Sequence, residues 1–139
     1  MKKIVIASIL AATAFAASAV EVSATHDYKT EKDGFRVGAS VAGLDVTATH
    51  VDNTYNRYAV GKSFDLFKVG AANVTTQVAG VYQDTHTGQN GYGLTAGVKA
   101  SVPVTKSVSA FVGAERFIGQ DRVKAFNGTT AQLGLAYKF

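Results

Sequence analysis

The chain has 139 residues, with 14 Lys and Arg against 10 Asp and Glu, three His, 14 Gly, one Pro and no Cys. The missing cysteine excludes disulfides, thiolate metal sites and cysteine nucleophiles. Setting Lys2 and Lys3 aside with the leader described next lowers the 14 basic residues to 12, a near-balance that removes the case for nucleic acid as a partner.

The chain opens on two positive residues, Lys2 and Lys3, followed by an apolar run from Ile4 to Phe15 and the small residues Ala17, Ser18 and Ala19. This is the pattern of a secretory signal, and it predicts a cleavable signal peptide over 1–19 and a mature domain over 20–139, starting at Val20 or Glu21. The run is too short to span a bilayer as a helix, and no later stretch approaches the roughly 20 apolar residues that a membrane helix needs. Any crossing must therefore be made by strands. Abundant Gly, Thr, Ser and Val, with no helical period of useful length, give one all-β domain.

Period-2 alternation between turn signals predicts eight strands. The first runs over Val20 to Tyr28 and is followed by the polar loop Lys29 to Gly34; the second covers Phe35 to Ala42. A tight turn at Gly43 leads to Leu44 to Val51, and Asp52-Asn53-Thr54 to a fourth strand over Tyr55 to Phe64. The segment Asp65 to Asn73 reads as a connection into Val74 to Tyr82. A Gly-rich polar loop, Gln83 to Gly91, precedes Tyr92 to Val102. Pro103 to Ser107 turns into Val108 to Phe117, and Ile118 to Gly128 is the last loop before Thr130 to Phe139. A Val-[Ser/Thr] start recurs at Val22, Val46, Val74 and Val108. Gly38, Gly61, Gly97 and Gly134 recur on the polar side of the even strands. The pattern is that of one hairpin used four times. An even count suits a single-chain membrane barrel, and the strand lengths suit tilted membrane strands of roughly 9 to 11 residues.

One face of these strands is apolar, and the position of the rings indicates what it meets. Tyr28, Phe35, Tyr58, Tyr82, Tyr92 and Phe117 fall beside the longer loops, while Phe64, Tyr137 and Phe139 fall at the opposite ends. Between them lie mainly Val, Ala and Leu. Two aromatic girdles around an aliphatic band mark a lipid-facing wall. The other face carries Glu21, Asp27, Arg36, Gln77, Lys99, Glu115, Gln132 and Lys138, a polar network filling a lumen that eight strands leave only wide enough for side chains. Closing the first strand on the last predicts Glu21 beside Lys138, and the first loop predicts Asp27 facing Arg36. Lys62 and Arg116 have lipid-side parity; both sit near predicted strand ends, where they can snorkel. At mid-strand such a charge would cost ~2 to 4 kcal/mol and count against the membrane reading.

Little catalytic chemistry is in view. His26, His50 and His86 read as rim histidines, with no carboxylate spacing that makes a metal site. Asp84 and His86 put an acid and a base on one loop, without an evident nucleophile or orienting partner. Gly88 to Gly93 joins two strands and opens no helix, so it is a loop tip rather than a phosphate cradle. The expectation is a protein that is not an enzyme and needs no cofactor or metal.

From the leader ending in Ala17-Ser18-Ala19, the eight alternating strands and the terminal Leu133-Gly134-Leu135-Ala136-Tyr137-Lys138-Phe139, the chain resembles the small outer-membrane β-barrel proteins of Gram-negative bacteria, of the outer-membrane protein A and X type. The resemblance implies an eight-stranded antiparallel up-and-down transmembrane β-barrel and a Gram-negative outer-membrane location. It further implies an assembly signal in Leu133, Leu135, Tyr137 and Phe139, read by the barrel-assembly machinery. Expected surroundings are outer-membrane lipid and lipopolysaccharide, with the chain acting as a monomer in a structural or surface-interaction role. Two alternatives stand beside it. One is a soluble periplasmic or secreted barrel binding a small apolar ligand; the other is a small porin or a lipid- or peptide-cleaving barrel using Asp84 and His86.

Overall fold

The computed structural model describes residues 19–86, 88, 90–120, 123, 124 and 127–138. Residues 1–18, which fall in the expected signal peptide over 1–19, and Phe139 lie outside the described residues. Eight strands form one closed antiparallel barrel in chain order: β1 (Ala19–Asp27), β2 (Lys32–Val41), β3 (Leu44–Val51), β4 (Tyr55–Val69), β5 (Ala72–Thr85), β6 (Asn90–Pro103), β7 (Val108–Gly119) and β8 (Gly128–Lys138). The seam is made by β1 and β8, with Val20 opposite Tyr137 and Asp27 opposite Thr130. The connections β1–β2, β3–β4, β5–β6 and β7–β8 lie at one end, called the upper end, and the three tight turns and both ends of the described chain, Ala19 and Lys138, lie at the lower end.

The turns follow local chemistry. At β2–β3, Ala42 and Gly43 have φ of 53° and 81°, the positive values at both central positions that a type I′ hairpin requires. At β4–β5, Gly70 (φ 59°) is the first of two turn residues. This second hairpin corrects the sequence reading: Asp65 to Asn73 is not a connection but the continuation of two paired strands. The ladder slips between Asp65 and Phe67, so Leu66 is the extra residue of a β-bulge. The bulge broke the period-2 signal, and it also keeps the wall apolar. Phe64, Leu66, Phe67 and Val69 are all exposed, although their positions do not share one parity.

Following ladder partners from Ala19 through Ser40, Asp45, Gly61, Ala79, Thr95 and Phe117 leads to Gly128. Because Thr130 pairs with Asp27, Gly128 stands opposite residue 29, and the circuit returns ten residues above its start. That stagger obliges the strands to tilt by roughly 35–45° from the barrel axis. Residues that meet at one height in the lumen are therefore not the ones paired across a ladder.

Candidate functional site

Burial is inverted relative to a water-soluble domain. Among the described residues the buried set is mainly polar, including Thr25, Asp27, Arg36, Thr49, Arg57 and Gln83. The large apolar side chains Val22, Val60, Leu94, Val112, Ile118, Leu133 and Leu135 stand exposed on the outer wall. A buried Arg or Glu is tolerated only when paired and hydrogen-bonded. Of the lumen's three layers the lower two meet that demand. In the top layer Arg57 Nη1 and Nη2 and Gln83 Nε2 have no hydrogen-bond partner among the described residues.

The lowest layer holds Glu21 and Lys99, joined at 2.7 Å. The Lys99 ammonium lies 4.4 Å from the Phe111 ring centre. Ser40 and Ser63 both donate to Asp45, the first at 2.8 Å. These groups line a polar chamber of about 360 Å³ that also touches Gln77. In the middle layer, Arg36 donates to Glu115, to the Gln132 side-chain oxygen at 2.8 Å and to the Thr49 hydroxyl at 2.8 Å. In the top layer, the Tyr55 hydroxyl donates to Asp27 at 2.5 Å, and Arg57 Nε donates to Gln83 at 2.8 Å. The Arg57 guanidinium is held between the Tyr55 and Phe117 rings, at 4.3 Å and 4.0 Å. Phe117 also packs with Val81 and Val123 in a small apolar cluster. The glycines of the even strands make this filling possible. A Cβ at Gly97 would stand 2.8 Å from the Glu115 Cβ, so only glycine leaves room for the carboxylate.

The predicted lumen residues Glu21, Asp27, Arg36, Gln77, Lys99, Glu115 and Gln132 therefore do face inward, but with other partners than expected. Glu21 meets Lys99 rather than Lys138, which is exposed at the lower rim. Asp27 meets Tyr55 rather than Arg36. Both corrections follow from the tilt. The sequence reading missed Thr49, Tyr55, Arg57 and Gln83, although Gln83 shares the parity of Gln77, and Tyr55 and Arg57 share that of Gly61, already placed on the polar side.

On the outer wall the upper collar carries Tyr28, Phe35, Tyr58, Tyr82 and Tyr92. Tyr82 stacks between Tyr58 and Tyr92, with ring centres 6.4 Å and 5.4 Å away. Phe64 and Tyr137 stand exposed at the lower end. Phe117 is the exception, being 1% exposed and inside the barrel. It shares the parity of Glu115, and alternation alone places it with that lumen residue. Of the proposed assembly residues, Leu133, Leu135 and Tyr137 face outward; Phe139 lies outside the described residues.

Lys62 is a second correction. With β4 running to Val69 it sits in mid-strand, not near an end. Its surroundings explain how the charge is accommodated. The ammonium lies 5.9 Å from the ring centre of Phe64, two residues nearer the lower end. The neighbouring strand β3 begins only at Leu44, one residue below the Asp45–Gly61 pair, so the adjoining wall ends at the level of Lys62. Arg116 lies near the upper end of β7, as read from the sequence.

The rings of His26 and His50 are held by their own neighbours. His26 Nδ1 is 2.6 Å from Asp33, and His50 Nδ1 is 2.5 Å from the Asn56 side-chain oxygen. Asp84 pairs in the ladder with Asn56 and Asn90, while the His86 backbone N–H donates to the Thr54 carbonyl at 2.8 Å. The apolar recess of about 500 Å³ lies on the outer wall among Val46, Val60, Gly80 and the three tyrosines. It is not in the lumen, where the soluble-carrier alternative needs it.

No family model and no curated protein matches the chain in sequence. Among solved structures it is similar to the N-terminal β-barrel domain of Pseudomonas aeruginosa OprF, at 13% identity, with 88% of this chain and 98% of that chain covered and a TM-score of 0.61. Neisserial surface protein A is similar at 19% identity, 87% and 96% coverage and a TM-score of 0.54. A de novo designed transmembrane β-barrel is similar at 17% identity, 87% and 93% coverage and a TM-score of 0.64. The chain has the fold of the small eight-stranded outer-membrane barrels.

Proposed function

We propose that this protein is an integral outer-membrane β-barrel with a structural or surface-interaction role and no catalytic one, its lumen filled rather than open. The observation that carries this reading is the inverted burial: an exposed aliphatic band between aromatic collars, around a core of paired charges. In water such a wall is an aggregation surface, whereas in a bilayer it is the solvated face. The longer upper connections then face the outside of the cell and the tight turns the periplasm. Residues 1–19 act as a cleavable export signal. Outer-membrane lipid and lipopolysaccharide surround the band, the barrel-assembly machinery reads Leu133, Leu135, Tyr137 and Phe139, and the barrel works as a monomer.

Cell fractionation, with gel mobility of heated and unheated detergent samples, tests this. A membrane-bound band that migrates faster unheated is expected. A soluble band with no heat shift overturns the reading. Removing Phe139 should lower insertion, and unchanged insertion refutes the assembly signal.

A further inference from the structure

The upper collar is uneven. From the top of β1 round to β6 it is aromatic, carrying Tyr28, Phe35, Tyr58, Tyr82 and Tyr92. On β7 the ring turns inward as Phe117, and the outward residue beside it is Arg116, paired across the ladder with Thr129 of β8. Arg116 is exposed, and among the described residues its guanidinium meets the Thr129 hydroxyl at 3.5 Å and no carboxylate. The Tyr28 backbone N–H donates to the Thr129 carbonyl at 3.0 Å, fixing the strand that carries the hydroxyl. Lys29 lies on the other face of β8, since a Cβ on Gly128, which shares the inward parity of Thr130 and Gln132, would stand 2.7 Å from the Lys29 Cβ. One rung below Arg116 and Thr129 the wall thins to a pair two residues further, Ala114 opposite Ala131.

An arginine at the edge of an apolar band loses solvation unless an anion meets it there. The guanidinium fork matches phosphate oxygens in two-point contact, and a hydroxyl adds a donor to the same group. Anionic lipid headgroups place phosphate at this depth, directly above the acyl region. Resting on the outer-membrane reading, we infer that Arg116, with the Thr129 hydroxyl, binds the phosphate of an outer-leaflet lipid, an acyl chain of which lies over Ala114 and Ala131. The aromatic arc from the top of β1 to β6 has no such cation and binds lipid without this selectivity.

The test refolds the protein into phosphatidylcholine vesicles containing either diphosphorylated lipid A or the same glycolipid without phosphate. Co-purifying lipid is then counted by native mass spectrometry after mild detergent extraction. The wild type should retain the phosphorylated glycolipid. Arg116→Gln should lower retention about tenfold, the loss of one charge-assisted contact, with Arg116→Lys intermediate and Lys62→Gln, on β4 outside this sector, unchanged. Equal retention by wild type and Arg116→Gln overturns the proposal, as does equal retention of the phosphate-free glycolipid. Complete displacement by millimolar inorganic phosphate assigns the site to free phosphate and overturns the lipid assignment. Failure of the wild type to enter vesicles, with no heat shift, overturns the membrane reading instead. Entry without lipid discrimination overturns this inference alone.

Discussion

Glu21 on β1 and Lys99 on β6 meet at 2.7 Å across the lower lumen, although 78 residues separate them and no ladder joins their strands. The barrel's stagger brings them to one height, and the Phe111 ring beneath the ammonium fixes its position. Each side chain keeps about a fifth of its exposure, so solvent screens part of the interaction. Lys99→Met should cost about 1–2 kcal/mol in urea unfolding from vesicles. The exchange Glu21→Lys with Lys99→Glu should recover most of that loss. A double variant as unstable as the sum of its singles would show that the two do not act as a pair.

Arg36 and Glu115 form the pair that closes the middle of the lumen, and both are buried. Glu115→Leu leaves the guanidinium without its counter-charge and should cost about 3–5 kcal/mol, whereas Arg36→Leu with Glu115→Leu should return much of it. Equilibrium unfolding of the four proteins forms a double-mutant cycle. A coupling energy near zero would remove Arg36 from its assigned role.

Gly97 and Gly80 face opposite sides of the wall and predict opposite outcomes for the same added methyl. A Cβ on Gly97 meets the Ala114 carbonyl at 2.6 Å and the Glu115 Cβ at 2.8 Å, while the nearest atom to a Cβ on Gly80 is 4.0 Å away. Gly97→Ala should destabilise by about 1–3 kcal/mol, and Gly80→Ala should leave stability unchanged or raise it. The unfolding midpoints of the two variants decide the point.

The strand count, the closure of β1 on β8 and the sidedness of the wall were legible in the sequence, because each rests on a period of two. The partners inside the lumen were not. Alternation says that Asp27, Arg36 and Glu21 point inward, but their heights depend on the stagger, a property of all eight strands that no single segment displays. The β4–β5 hairpin escaped because Leu66 interrupts the alternation and Gly70 reads as loop. The same misreading put Lys62 at a strand end. Phe117 is different in kind: its parity with Glu115 was available, and its ring beside the upper loop drew it to the wrong face.

The bulge at Leu66 gives the sharpest contrast between two deletions of one residue. β4 pairs Asp65 with Thr75 and Phe67 with Val74, so β5 has no partner for Leu66. Removing Leu66 leaves both neighbouring pairs in register, with Phe67 and Val69 still outward. Removing Ala59, which pairs with both Thr47 and Val81, shifts the upper part of β4 by one residue and turns each side chain there to the opposite face. Arg57 then enters lipid at ~2 to 4 kcal/mol, Tyr55 leaves Asp27, and Tyr58 is forced into the filled lumen. The Leu66 deletion should refold into vesicles with an intact heat shift and a loss of about 1 kcal/mol or less; the Ala59 deletion should not refold. Equal tolerance of both would mean that the β4 register is not fixed by what its side chains meet.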